Sequence, residues 1–203
     1  LPIKIGKNPM FESLTGIIYQ WDVGFLLFIN LGFKNPVLDY IVLVATNLGL
    51  PIFWLIVCTM IFIFGGEKGR KVAVLCLIAL SLGWLLTEFL KIIIDRPRPY
   101  SILDQVRAVA TEDGHSFPSG HSVAVFIACT MFGLEYGYIP IFMGLAVLVA
   151  FSRIYLGVHY PLDVIFGAIL GISCALMVRH WEGPIMGNIL KLKTYWDAYN
   201  MKV

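Results

Sequence analysis

Residues 72–94 run for 23 positions with only Glu88 and Lys91 charged. A helix of that length rises about 1.5 Å per residue, enough to cross a bilayer's hydrocarbon layer of roughly 30 Å. Apolar runs at 51–64, 119–134, 139–151 and 161–178 repeat the pattern. A chain of 203 residues that is 59% hydrophobic and 14% charged cannot hide all of them in a soluble core. In lipid every backbone polar group must be satisfied within its own segment, so runs of this length read as helices. The expected fold is therefore all-α: a polytopic transmembrane helix bundle of five full spans, with short membrane-boundary helices near the N-terminus. Six spans result if one of those short helices is a tilted crossing.

The length suits a single integral membrane domain over 1–203, with a core at 51–180. Residues 1–50 are expected to form interfacial N-terminal helices and 181–203 an interfacial tail, rich in Trp and Lys. Pro2, Gly6, Pro9 and Gly16 predict an irregular or interfacial arm over 1–20. Trp21-Asp22 and Lys34-Asn35-Pro36 bracket apolar runs too short to span alone, so 22–49 is expected to hold two short helices. The net charge of +2 is too small to point to nucleic acid. Cys58, Cys76, Cys129 and Cys174 sit singly inside apolar runs and read as small core residues, with no metal-ligand spacing. Gly144, Ala146, Gly167, Ala168 and Gly171 are expected to let helices approach closely.

Alternating spans bring four chain ends to one face: the end of the run at 94, the start at 119, the end near 153 and the start near 161. Lys91, Arg98, Ser119, His121, Arg153, His159 and Asp163 converge there. Ionisable groups at a membrane boundary are costly and call for a reason. Taken singly, Arg153 reads as an interfacial anchor and Pro118-Ser119-Gly120 as an ordinary helix start. Taken together, three cations can hold phosphate oxygens, and an arginine fork can hold two at once. Ser119 and the Gly120 and His121 amides open a helix, a natural anion site. His159 and Asp163 are four residues apart, close enough for the carboxylate to orient the imidazole as a nucleophile. His121 is a candidate acid for a leaving oxygen. His115, Arg96, Asp113 and Glu112 stand outside this pattern, and His115 reads as a loop or substrate-edge residue.

Lys91-x6-Arg98-Pro99, Pro118-Ser119-Gly120-His121 and Ser152-Arg153-x5-His159-x3-Asp163 resemble, in order and at every position, the three motifs of the type 2 phosphatidic acid phosphatase family. The resemblance implies that His159 becomes a phosphohistidine and Asp163 orients it. His121 would serve the leaving group and then the water. Lys91, Arg98, Arg153, Ser119 and Gly120 would bind phosphate, and no metal or cofactor is implied. The substrate would be a lipid phosphate, with an isoprenyl (undecaprenyl-type) diphosphate first. Phosphatidic acid, phosphatidylglycerophosphate or transfer to another acceptor are the alternatives. An anion-binding transporter is the competing class, but mere anion binding needs no nucleophile–acid pair. With Lys68, Arg70 and Lys71 in one turn, the positive-inside rule puts that turn in the cytoplasm and the catalytic face outside.

Overall fold

The computed structural model describes residues 9–200, and every regular element among them is helical. The helices are α1 (Pro9–Gly32), α2 (Pro36–Thr46), α3 (Pro51–Phe64), α4 (Gly66–Ile94), α5 (Pro99–Ile102), α6 (Gly120–Tyr136), α7 (Ile139–Tyr155), α8 (Pro161–His180) and α9 (Glu182–Asn200). Prolines open five of these nine and stand second in α7, where a missing N–H costs nothing and the fixed φ suits the first turn.

The bundle is built around α6. Every residue of 122–133 is buried, and α3, α4, α7 and α8 pack around it. Its sequence is apolar on all sides, as a helix with no exposed face must be. By contrast α4 turns Trp84, Leu85, Phe89 and Ile92 outward, a stripe suited to lipid. Three helical stretches are long and apolar enough to cross a membrane, Leu14–Gly32, Gly66–Ile102 and Pro161–His180. The pair α2 and α3, bent by 58°, is a fourth if it forms one broken span. α6 and α7, of 17 residues each, are shorter than those three. All four cysteines are buried and unpaired.

The N-terminal expectation needs correcting. Instead of an irregular arm to residue 20, α1 runs without a break from Pro9 to Gly32; residues 1–8 lie outside the described residues. A lone glycine such as Gly16 costs a helix only about 1 kcal/mol. Asp22, which cuts the apolar run short on paper, is 3% exposed because it has partners in the bundle. α1 meets the bundle through Tyr19 against Tyr160, Asp22 against Arg96 and Leu162, and Asn30 against Tyr155 and Arg107. These contacts all lie at the end where α4 and α7 finish and α8 begins, so α1 lies across that end.

Close approach of α6 and α8 depends on Gly167 and Gly171. A Cβ on Gly171 would fall 2.6 Å from the Val123 carbonyl oxygen, and one on Gly167 2.8 Å from that of Ser119. Gly144 has open space instead and plays no such part. Gly171→Ala must therefore push backbone away from backbone. We expect it to cost roughly 1–3 kcal/mol, read as a lower melting temperature, while Gly144→Ala leaves the melt unchanged.

Candidate active site

The end that α1 covers is assembled from four helix termini. α4 stops at Asp95, which takes the left-handed conformation (φ 48°) and turns the chain toward Arg96 and Arg98. Ser119 caps α6, and its N–H donates to the Asp163 carbonyl at 3.0 Å, joining the second and third motifs. Gly157 (φ 78°) makes the turn from α7 toward His159, and a Cβ there would meet the Arg107 carbonyl at 2.8 Å. Asp163 lies in the first turn of α8 and accepts the Tyr160 N–H at 2.9 Å, which fixes the direction of the loop carrying His159.

His159 is 2% exposed. Its Nε2 is 3.3 Å from Arg98 Nη1. A guanidinium can only donate, so Nε2 accepts and the ring proton sits on Nδ1. Nδ1 in turn faces Asp163 Oδ2 at 3.5 Å, longer than a formed hydrogen bond. Burial lowers the His159 pKa to about 4; the Asp163 carboxylate favours the proton, but Arg153 and Arg98 add to the opposing effect. The imidazole is therefore neutral at pH 7, with its proton on Nδ1 and its lone pair on Nε2.

Arg98 is held in place by three carbonyls: Gly114 at 3.2 Å, Asp113 at 3.0 Å and Val158 at 3.1 Å. Its remaining reach is toward a cavity of about 240 Å³, lined on one side by Lys91, Arg98, Gly120, His121 and His159. Arg153, 1% exposed, donates to Thr46 Oγ1 at 2.6 Å and pairs with Glu112, which also lines the cavity. Lys91 is paired with Glu88 at 2.9 Å.

Of the residues picked out from sequence, Lys91, Arg98, Gly120, His121 and His159 thus share one cavity. Asp163 stands behind His159, and Arg153 reaches the cavity through Glu112. Ser119 is buried and turned inward, its hydroxyl accepting from Ser122 Oγ at 3.0 Å. His115 pairs with Asp95 at 2.7 Å in an exposed part of the loop.

Three residues escaped the sequence reading. Arg96 bridges two buried carboxylates, Asp163 at 2.6 Å and Asp22 at 2.5 Å, and stacks on the Tyr160 ring at 3.7 Å. Asp22 also accepts the Leu162 N–H at 2.9 Å. Glu112 is the third. The Arg-Pro-Arg-Pro repeat at 96–99 was a signal for Arg96; Asp22 and Glu112 had none stronger than a charge in an unexpected place.

Known proteins resemble this chain in sequence and in fold. The model of the PAP2 superfamily matches residues 70–186, which contain all three motifs. The bacitracin transport permease protein BcrC of Bacillus licheniformis is 28% identical over 176 residues, covering 83% of this chain and 81% of that protein. The undecaprenyl-diphosphatase of Sulfolobus acidocaldarius is 31% identical over 156 residues, covering 70% of this chain and 75% of its own length. The crystal structure of a transmembrane PAP2-type phosphatidylglycerolphosphate phosphatase from Bacillus subtilis superposes with a TM-score of 0.70 at 26% identity, covering 83% of this chain and 88% of the other. Motifs, fold and relatives converge: the chain belongs to the PAP2 superfamily and is an integral membrane lipid phosphatase.

Proposed function

We propose that this phosphatase removes the terminal phosphoryl group of a small-headed lipid through a phosphohistidine on His159, without a metal, and that an isoprenyl diphosphate is its first substrate. The observation that carries the reading is the shape of the cavity. Its polar end holds His159, His121, Arg98 and Lys91. Its other end is lined by Leu80, Trp84, Ala124 and Ile127, and Trp84 is 58% exposed on the outward face of α4. A lipid tail can enter sideways between α4 and α6 while its phosphate stays among the cations.

In the first step His159 Nε2 attacks phosphorus. The N–P bond forms, the P–O bond to the leaving group breaks, and His121 gives a proton to the leaving oxygen. Asp163 stabilises the imidazolium character that develops. In the second step His121 takes a proton from water, which attacks the phosphohistidine and releases orthophosphate. Arg98 and Arg153 neutralise the oxygens in both steps, and Lys91 and the Gly120 amide complete the cradle. Arg153 Nε has no partner among the described residues, a buried donor suited to a phosphoryl oxygen.

Five crossings fit this placement, α4, α6, α7, α8 and α3 with α2 as its bent lead-in, and α1 lies at the boundary on the catalytic face. α6 and α7 rise about 26 Å each, near the hydrocarbon thickness. The opposite face carries Lys68, Lys71 and Arg179 around Glu135, which supports an extracytoplasmic active site.

The loop before α6 is compact and tied down, so it favours a phosphate or diphosphate set directly on the lipid over a bulky headgroup. A phosphate-release panel under one detergent condition tests the order. Undecaprenyl or farnesyl diphosphate is expected to exceed phosphatidic acid and phosphatidylglycerophosphate in kcat/KM, and the reverse order would make a phosphoglycerolipid the substrate. Ala124→Leu should narrow the tail groove, lowering kcat/KM for long-chain substrates several-fold while sparing a short soluble phosphate ester. An equal loss on both would put the tail elsewhere.

A further inference from the structure

Glu112 stands where the substrate's phosphoryl group has to go. One carboxylate oxygen contacts Arg153 Nη2, and the other lies 3.0 Å from Arg98 Nη1 and 4.0 Å from His159 Nε2. Two oxygens bridging two guanidinium groups in front of the nucleophilic nitrogen reproduce the contacts of two phosphoryl oxygens. Glu112 is an anion at physiological pH: burial raises its pKa, but the Arg153 guanidinium in contact with it lowers it, and the net value is about 2.

The backbone around Glu112 is fixed, so only the side chain is free to leave. Tyr100 Oη donates to the Glu112 carbonyl and accepts the Glu112 N–H at 3.1 Å. On either side, the Val109 N–H donates to Leu156 O at 3.2 Å and the Ser116 N–H to Arg96 O at 2.8 Å. The neighbouring carbonyls of Asp113 and Gly114 hold Arg98. The same loop that orients one phosphate-binding arginine thus presents a competing carboxylate to it.

Resting on the phosphatase reading above, we propose that Glu112 is a specificity-determining placeholder, displaced by rotation of its side chain when a terminal phosphoryl group binds. Until then it keeps Arg98 and Arg153 paired and preorganised. A ligand must replace a carboxylate that already holds two arginines. A terminal phosphoryl group, with nearly two charges and three free oxygens at pH 7, is able to do so. A phosphodiester headgroup carries one charge, no more than the carboxylate it would replace. The fixed displacement cost therefore keeps the abundant phosphodiester lipids of the membrane out of the site while admitting phosphomonoesters and diphosphates.

The test is binding of orthophosphate to the purified full chain, read by melting temperature without turnover. Glu112→Gln is expected to melt lower than wild type without ligand, because two buried guanidinium groups lose their counterion, and to bind orthophosphate about tenfold more tightly, worth about 1.4 kcal/mol. Micelles enriched in phosphatidylglycerol should then inhibit the variant and not the wild type. Glu112→Asp, too short to bridge both arginines, should lie between the two, and carries the same test if the Gln variant does not fold. Equal or weaker orthophosphate binding in both variants overturns the proposal and would make Glu112 part of the cradle itself. Because binding is measured without chemistry, this failure is separate from that of the phosphatase mechanism, which would show as a wild type that releases no phosphate from any lipid.

Discussion

His159→Ala is expected to take phosphate release down to background, a loss of about 10⁴-fold or more, while the protein still folds. The size follows from the role: without the imidazole there is no atom to accept the phosphoryl group, and the cations alone supply only binding and charge neutralisation. Folding should survive because the ring contributes little to the bundle's hydrogen bonds. Nδ1 has no hydrogen-bond partner among the described residues, and Arg98 keeps its three carbonyls without it. Phosphate release and a thermal melt on the same preparation check both halves. Activity near wild type would rule out His159 as the nucleophile.

Asp163→Asn has the second largest expected effect, about 10³–10⁴ in kcat by analogy with other oriented histidines. The carboxylate has three neighbours: His159 Nδ1 at 3.5 Å, Arg96 at 2.6 Å and the Tyr160 N–H at 2.9 Å. All three are donors, so an amide must turn its NH₂ toward at least one of them. Either the imidazole loses the acceptor that fixes its tautomer, or Arg96 is left with Asp22 alone. Asp163 does not line the cavity, so KM should change little. A variant with raised KM and intact kcat would mean that Asp163 holds substrate and does not position the nucleophile.

The motif residues were legible because two simple rules act on them. Helices alternate direction across a membrane, so the ends of α4 and α7 and the starts of α6 and α8 fall together whatever the details of packing. Proline and glycine mark those ends in the sequence. Other features needed three dimensions. Asp22 reads as a break in an apolar run because its partners, Arg96 and the Leu162 N–H, are 74 and 140 residues away. Those partners are what allow α1 to continue through it, and so the helix appears where an arm was expected. Glu112 sits in a polar loop where any carboxylate looks solvated. Its meaning comes only from Arg98 and Arg153 closing on it. Ser119 shows another limit of spacing: it places the residue at the start of α6 but does not set the direction of its hydroxyl, which accepts from Ser122 Oγ.

The central claim is a covalent phosphoryl group on His159. Its most direct measurement is a rapid-quench reaction of the wild-type chain with substrate labelled in the terminal phosphate, stopped in alkali within the first turnover and mapped by peptide. The account predicts alkali-stable, acid-labile label on His159, absent from His159→Ala. Phosphate release from wild type with no labelled protein at any quench time, or label on another residue, would contradict it.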